Sequence, residues 1–252
     1  DVYITGSNAY FMSGELATLL SGRYVELKML PLSFAEYVSA FPDTMNREEL
    51  YRRYVYNSSF PYTVELKSRK QVHTYLDGLY NTVVLNDIVE RRRVQNPAML
   101  KSVIRFLFDN IGNTCSAKRI ADAMTSAGRK IASRTVENYL EGITDSLLMY
   151  RVSRFDIKGK EYLRLLDKYY LADIGLRYYL LGTRNVDQGH ILENVVFLEL
   201  LRRGYQVYIG KAGSAEVDFV AQDCDGNTEY YQAALTVREK ATLARELAPL
   251  DS

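Results

Sequence analysis

Residues 189–234 constrain the possible folds of this chain most strongly, because they predict one helix followed by three short strands. The helix is expected in GHILENVVFLELLRRGY and carries Glu193. The strands are expected in VYIG, AEVDFV and EYYQAA, whose β-branched and aromatic residues favour extended backbone. Glu216 and Asp218 lie two residues apart on the middle strand, so both side chains are expected on the same face.

Three acidic side chains of this segment are candidate metal ligands. Glu193 is expected to join Glu216 and Asp218 from the helix, and carboxylate oxygens in such a cluster suit Mg²⁺. The alternative is that Asp218 forms a hydrogen bond with Gln232, in which case the cluster only stabilises the sheet.

This order of helix and strands resembles the PD-(D/E)XK nuclease core. In that family a helix Glu, a strand Asp and a following Glu-x-Lys gather around a divalent cation. The corresponding pair is expected on the third strand, where it is Gln232-Ala233-Ala234. Gln232 brings no negative charge to a cation, and Ala234 has no group that orients or activates a water. The resemblance therefore implies a degenerate PD-(D/E)XK-like mixed sheet with flanking helices, in which the three acidic residues are vestigial ligands.

The composition is that of an ordinary globular protein, since 47% of the 252 residues are hydrophobic and 25% are charged. The formal net charge of +1 excludes a global attraction to nucleic acid, so any nucleic-acid surface must be a local patch. Cys115 and Cys224 are expected to be free thiols, and two histidines are too few for a multi-histidine metal site. Neither a membrane-spanning apolar run nor a secretory signal is present, so a cytoplasmic protein is expected.

The two ends of the sequence predict a fragment of a longer protein. Residues 1–6 begin in a pattern typical of the middle of a buried strand, and residues 242–252 stop within an amphipathic pattern. No Gly-x-x-x-x-Gly-Lys-Ser/Thr phosphate loop occurs in the sequence. We therefore expect that this segment does not hydrolyse ATP by itself.

The first 45 residues predict alternating strands and helices. A helix is expected over residues 12–20, and a strand over residues 24–29, where apolar residues alternate. Ser33 and Glu36 have the spacing of a capping box that begins the next helix.

Residues 46–97 predict a helical linker. Helices are expected over Arg47–Asn57 and residues 72–94, and the second ends in the basic run Glu90-Arg91-Arg92-Arg93. A loop at residues 58–61 separates the two helices.

Residues 98–166 predict a winged helix-turn-helix, because three helices are followed by a β-hairpin. The helices and strands are expected over residues 98–110, Ala117–Ser126, Ser133–Asp145, 147–156 and 161–166. Ser133 is expected to cap the third helix. A further helix over residues 169–179 is expected to connect this unit to the nuclease-like core.

The third of these helices carries candidate DNA contacts. Cations and helix-N-terminal amides suit phosphates, whereas Arg and Asn suit base edges. The candidates are Arg129, Lys130, Ser133, Arg134, Thr135 and Asn138 around the helix start, together with Lys158 and Lys160 at the hairpin tip. Double-stranded DNA is the expected partner. The alternatives are another protein, self-association, or packing within the chain.

Three stretches of sequence occur together across the chain. The first comprises ITGSN at residues 4–8, LSGRYVEL at 20–27 and LPLSFAEY at 30–37; the second is FP at 60–61; the third comprises residues 167–182, LEN at 192–194 and EVDF at 216–219. Together they resemble the predicted AAA-type ATPases whose C-terminal half is a domain of unknown function, DUF4143.

The resemblance implies that the chain begins in the last part of an AAA-type ATPase core, which in the full-length protein uses ATP and Mg²⁺. It implies a γ-phosphate-sensing role for Asn8, or for Ser7 beside it, and a phosphate-neutralising role for Arg23. The residues alone also allow a simple turn at Asn8 and a surface charge at Arg23.

The sequence therefore predicts a multi-domain α/β protein. Its parts are the end of an AAA-type core at residues 1–45, a helical linker at 46–97, a winged-helix-like domain at 98–166 and a truncated nuclease-like domain at 167–252. We expect part of an ATP-binding protein whose winged helix and inactive nuclease-like region recognise DNA or a partner. The alternatives are an active Mg²⁺-dependent DNA nuclease and a non-catalytic protein-interaction scaffold.

Overall fold

The structure, a computed structural model, describes residues 3, 23–157, 159, 161–183, 187–212, 215–238 and 240–248. Within these ranges the chain has a mixed α/β fold in two units. The first unit contains the described residues of Asp1–Phe108, Ala117–Tyr150 and Ala172–Gly182, and the second contains those of Asp109–Ser116, Arg151–Leu171 and Thr183–Ser252. No helix among the described residues has the length and apolar character needed to cross a membrane.

Helices dominate the first unit. They are α1 (Phe34–Ser39), α2 (Arg47–Asn57), α3 (Arg69–Thr82), α4 (Pro97–Asp109), α5 (Ala117–Ser126), α6 (Ser133–Asp145) and α7 (Ile174–Leu181). A 3-10 turn at Pro61–Val64 precedes α3, and a π-helix at Val83–Glu90 continues it. Leu50, Leu76 and Leu100 are among the fully buried side chains that these helices contribute to the core.

Local capping explains where several helices begin. The Ser33 hydroxyl accepts the Glu36 N–H at 3.1 Å, and the Glu36 carboxylate accepts the Ser33 N–H at 2.7 Å. These bonds confirm the predicted capping box, and they satisfy amides that a helix start leaves without intrahelical partners. Asn46 begins α2 in a similar way, because its side-chain oxygen accepts the Glu48 N–H at 2.8 Å.

A buried carboxylate fixes the start of α7 within the first unit. Asp173 accepts the backbone N–H and the hydroxyl of Ser59, each at 2.6 Å, and caps α7 through the Leu176 N–H at 3.1 Å. Gly175 lies so close to Ser58 that an added Cβ would be 2.5 Å from the Ser58 Cα. The loop at residues 58–59 therefore packs directly against the first turn of α7.

A six-stranded mixed sheet forms the centre of the second unit as far as the structure describes it. Its strands are β1 (Thr114–Cys115), β2 (Met149–Asp156), β3 (Glu161–Leu171), β4 (Gln206–Ala212), β5 (Ala215–Gln222) and β6 (Thr228–Tyr231), in the order β1-β3-β2-β4-β5-β6. The β2–β4 pair is parallel, with Arg154 opposite Ile209. The β1–β3, β4–β5 and β5–β6 pairs are antiparallel.

Helix α8 (Gln188–Arg202) packs on this sheet. Phe197 stacks on Tyr170 of β3, with ring centroids 4.6 Å apart. Asn194 accepts the Leu171 N–H at 2.7 Å and donates to the Leu171 carbonyl at 2.9 Å, so one amide pairs with both backbone groups at the end of β3. These contacts fix the position of Glu193, the neighbouring residue on α8.

Two predicted elements differ from the structure. The predicted helix over residues 169–179 is wrong at its start, because β3 extends to Leu171 and the helix begins only after the Asp173 cap. Lys168 of β3 lies opposite Thr114 of β1, and the Tyr169 carbonyl accepts the Gly112 N–H at 3.3 Å. The predicted strand over residues 24–29 is not formed within the described residues, where Val25, Leu27 and Met29 are exposed. A strand requires a hydrogen-bonded partner strand, which alternation of apolar residues does not supply.

Two smaller boundaries also differ. Ser133 is the first residue of α6 rather than its cap, since the Ala132 carbonyl accepts the Thr135 N–H at 3.0 Å and no side chain caps the helix. The third strand of the nuclease-like segment ends at Tyr231, one residue before Gln232. Its ladder ends there because the Ala233 N–H donates to the Asp218 carboxylate instead, at 2.8 Å.

Candidate functional site

A cluster of charged side chains lies between α8 and the sheet of the second unit. The Lys168 Nζ is 3.0 Å from the Glu193 Oε1 and 2.8 Å from the Glu216 Oε1. The side chains of Lys168 and Glu193 are 5% and 7% exposed, whereas that of Glu216 is 34% exposed. One ammonium therefore bridges two carboxylates in a largely water-excluded position.

The strand period places the remaining members of the cluster. Tyr170 is two residues after Lys168 on β3, and its hydroxyl donates a hydrogen bond to the Glu193 Oε1 that Lys168 also contacts. Asp218 is two residues after Glu216 on β5, so the predicted shared face of these two acids is consistent with the half-buried positions that both occupy. The fully buried Val217 and Phe219 alternate with them.

The pKa shifts follow from burial and from the two ion pairs. Burial by itself lowers the pKa of the Lys168 ammonium, but the carboxylates of Glu193 and Glu216 outweigh burial and raise this pKa above its ordinary value. Burial, and then the charge of Glu193, raises the pKa of Tyr170 well above its ordinary value. Near neutral pH, Lys168 is therefore charged and Tyr170 is protonated, which suits both to contact a carboxylate.

Asp218 is the acid of the cluster that forms no ion pair with a described lysine or arginine. Burial is the main cause that raises the pKa of Asp218 to about 6, and the charges of Glu193 and Glu216 act in the same direction. The hydrogen bond from the Ala233 N–H and the charge of Lys168 oppose this rise. The predicted proximity of Asp218 and Gln232 is confirmed, although the bond joins the Asp218 backbone N–H to the Gln232 Oε1, at 3.2 Å.

The cluster does not fit a bound divalent cation. The Lys168 ammonium already contacts the two carboxylates that would have to share the ion. In the described part of the chain, no group of three or more His, Cys, Asp or Glu side chains is disposed to hold a metal. That Glu193, Glu216 and Asp218 are metal ligands, vestigial or active, stays a prediction.

Lys168 and Tyr170 were not among the residues selected from the sequence. Their signal is present as DKYYL at residues 167–171, where a charged residue stands within an aromatic and apolar run. A helix predicted over residues 169–179 does not show that Lys168 and Tyr170, two residues apart on a strand, lie on the same face of the sheet. Arg154 on β2 was also missed, and its Nη2 lies 3.7 Å from the Glu216 Oε2.

The candidate DNA contacts of the first unit lie around the start of α6. Arg129, Lys130, Arg134 and Asn138 are exposed, and Ser133 and Thr135 are half-buried. The Arg129 guanidinium donates a hydrogen bond to the Ser102 hydroxyl, which directs this side chain towards α4. The structure therefore brings the residues from 129 to 135 together at the start of α6, with Asn138 about one turn further along the helix and Arg129 engaged in a contact inside the unit.

The opposite end of α6 is acidic and is partly neutralised by one arginine. Glu141 lies 3.0 Å from the Arg92 guanidinium, which also forms an ion pair with Asp145. Glu137 is exposed between the two ends. The helix therefore has a basic start and an end at which one arginine faces two carboxylates.

Several predicted site residues lie outside the described residues: Ser7, Asn8, Lys158 and Lys160. Arg23 is described and is exposed. The phosphate-sensing and hairpin-tip roles of these residues stay predictions.

Two family models match the sequence. One is described as a domain of unknown function, DUF8612, and matches residues 48–187; the other is described as an AAA domain and matches residues 1–38. The AAA match supports the coarser part of the resemblance drawn from the sequence, an AAA-type family, whereas membership of DUF4143 stays a prediction.

Two relatives extend this comparison. An uncharacterized protein of Haemophilus influenzae is 42% identical over 242 residues, which are 95% of this chain and 60% of that protein. An uncharacterized protein of Methanocaldococcus jannaschii is 31% identical over 238 residues, which cover 87% of this chain and 52% of that protein. The chain therefore spans between about half and 60% of the length of these relatives. No solved structure matches the chain significantly.

Proposed function

The chain belongs to the family described as a domain of unknown function, DUF8612, and we propose that it is the recognition part of an AAA-type protein that binds double-stranded DNA without cutting it. The full-length protein uses ATP and Mg²⁺ in its AAA core to change conformation or assembly. The AAA match over residues 1–38 supports this part of the proposal. Within that core, Asn8 or Ser7 senses the γ-phosphate and Arg23 neutralises phosphate charge.

The basic, exposed start of α6 is the observation that carries the DNA proposal. Arg134 and Asn138 are four residues apart, so their side chains are neighbours on one helical face. Lys130 stands exposed in the turn before the helix, and the amides of the first helical turn also attract phosphate. Arg92 offsets one of the two negative charges at the acidic end of α6, which reduces the repulsion that the two carboxylates would exert on DNA.

The order of elements also supports a winged-helix interpretation. Helix α4, the short strand β1, helices α5 and α6 and the hairpin strands β2 and β3 follow one another along the chain. In this interpretation α6 reads base edges with Arg134 and Asn138, while Lys130, Ser133 and Thr135 contact phosphates. Phosphate contacts by Lys158 and Lys160, which lie outside the described residues, stay a prediction.

The second unit is proposed to be a PD-(D/E)XK-like core that has lost catalysis. Helix α8 followed by β4, β5 and β6 is the order that the resemblance implies. Gln232 and Ala234 stand where that family has the Glu-x-Lys pair, and Lys168 contacts two of the three remaining acids. An active Mg²⁺-dependent nuclease is the alternative that these residues disfavour.

A protein-interaction scaffold, including self-association, is the second candidate function. The observation that favours it is a set of exposed apolar side chains near the end of the second unit, namely Leu235, Val237, Leu243 and Leu247. A scaffold predicts partner binding that is independent of the α6 residues. This separates it from the DNA-binding proposal.

Fluorescence anisotropy with a labelled duplex across a salt series tests the proposal. We expect affinity to fall as salt rises, because each neutralised phosphate releases counterions. The variant Lys130→Glu/Arg134→Glu should abolish binding, whereas Lys70→Glu, an exposed charge reversal on α3 of the same unit, should weaken it only slightly. Equal loss in both variants would mean that the helix start is not the DNA surface, and absence of binding at low salt would favour the scaffold.

A further inference from the structure

We propose that the Lys168 ammonium is a built-in replacement for the divalent cation of a nuclease-like core, and that the same carboxylates bind such a cation once the lysine is removed. We make this proposal for the charge cluster of the second unit; it rests on the proposed nuclease-like core and does not depend on DNA binding. It gives the proposed loss of catalysis a physical cause: the side chain of Lys168 places a covalently attached cation within the acidic cluster.

Geometry is the first support. A divalent cation that bridges carboxylates from α8 and β5 lies about 2.0–2.6 Å from an oxygen of each, and an ammonium in the same place lies at hydrogen-bond distance, about 2.7–3.2 Å. The Lys168 Nζ meets this condition with the Glu193 Oε1 at 3.0 Å and the Glu216 Oε1 at 2.8 Å. The Lys168 ammonium by itself therefore bridges the helix carboxylate of Glu193 and the strand carboxylate of Glu216.

Burial is the second support. The Lys168 side chain is 5% exposed, and an ammonium so placed is stable only when carboxylates face it. Tyr170 donates a hydrogen bond to the same Glu193 oxygen, so this carboxylate has two donors beside it. A divalent ion would have to displace a tethered ammonium that cannot diffuse away.

Charge balance is the third support. Lys168 and Arg154 supply two positive charges against Glu193 and Glu216. Asp218 forms no ion pair with a described lysine or arginine, and its carboxylate accepts the Ala233 N–H at 2.8 Å. With all three acids ionised, two cations leave the cluster with one negative charge, and removal of Lys168 leaves three acids and one arginine.

Mn²⁺ binding to the purified 252-residue chain tests the proposal, with the electron paramagnetic resonance signal of free Mn²⁺ as the readout. We expect no binding at the cluster in the natural sequence. Lys168→Ala should bind Mn²⁺ more tightly by about tenfold or more, because a positive charge next to the ion is removed. The gain should be lost again in Lys168→Ala/Glu216→Gln. Thermal unfolding should agree, with Mn²⁺ stabilising only the Lys168→Ala protein.

Two further variants keep the test decisive. Arg203→Ala removes an exposed cation that lies 2.9 Å from Glu199 on α8, and it should not create Mn²⁺ binding. Lys168→Gln keeps most of the lysine volume and replaces Lys168→Ala if the smaller side chain prevents folding. The proposal is overturned if the folded lysine variant binds Mn²⁺ no better than the natural sequence. It is equally overturned if the natural sequence binds Mn²⁺ and Glu216→Gln weakens that binding.

Discussion

Asparagine in place of Asp218 should stabilise the protein at neutral pH and leave its stability unchanged in acid. Burial raises the pKa of Asp218 to about 6 in the folded protein, above the ordinary value of 3.8. The folded state therefore holds the proton more tightly than the unfolded state does. The resulting stability is fully present below pH 3.8 and is lost as the pH rises through about 6.

The magnitude follows from this pKa difference. Each unit of pKa corresponds to about 1.36 kcal/mol, so a rise from 3.8 to about 6 represents up to about 3 kcal/mol. Asp218 is only half-buried, and screening by solvent reduces the expected effect to about 1–2 kcal/mol. The asparagine side chain of the Asp218→Asn variant has no charge to bury and still offers an oxygen to the Ala233 N–H, so the variant avoids this loss of stability.

Urea unfolding of both proteins between about pH 4 and pH 8 measures the difference. The Asp218→Asn variant should be more stable near pH 8, and the two curves should converge near pH 4. Asp223→Asn is the matched control, because hydrogen bonds led by that of the Asn227 side chain lower the pKa of Asp223. That control should lose stability near neutral pH rather than gain it. An Asp218→Asn variant that is less stable than the natural sequence at pH 8 would refute the reasoning.

Three other substitutions test the packing of the first unit. Gly175→Ala should lower the free energy of unfolding by about 1–3 kcal/mol, because the added Cβ would lie 2.5 Å from the Ser58 Cα. Gly78→Ala should raise it by about 0.5–1 kcal/mol, because Gly78 lies inside α3 and an added Cβ would meet no atom within 4 Å. The urea midpoints of the two variants should therefore move in opposite directions. Ser59→Ala should lower the free energy of unfolding by about 1–3 kcal/mol, because the buried Asp173 carboxylate loses the hydroxyl hydrogen bond that it accepts at 2.6 Å. An unchanged urea midpoint would argue against a stabilising role of this bond.

Local signals made the helices of the first unit predictable. The bounds of α2, α5 and α6 agree with the sequence-based expectation, because periodic apolar residues and caps act within a few residues of each other. The order of α8, β4 and β5 was also predicted, and with it the proximity of Asp218 to Gln232. Each of these elements carries its own pattern in the sequence.

Non-local pairing explains what sequence reasoning missed. The end of β3 is held by residues that lie far earlier in the chain, since Asp167 and Lys168 pair with Cys115 and Thr114 and the Tyr169 carbonyl accepts the Gly112 N–H. Without that ladder the tyrosine-rich segment resembles the start of a helix, and Lys168 has no visible reason to face Glu193. The ion pairs of the cluster therefore became apparent only when the register of β3 was known.

The central claim is that this chain binds DNA and does not cut it. The most direct measurement incubates one labelled duplex with the protein and Mg²⁺ and divides the sample between a native gel and a denaturing gel. We predict a retarded band on the first gel and intact strands on the second. Strand cleavage that disappears in Asp218→Asn would contradict the loss of catalysis, and the absence of a retarded band at low salt would contradict DNA recognition.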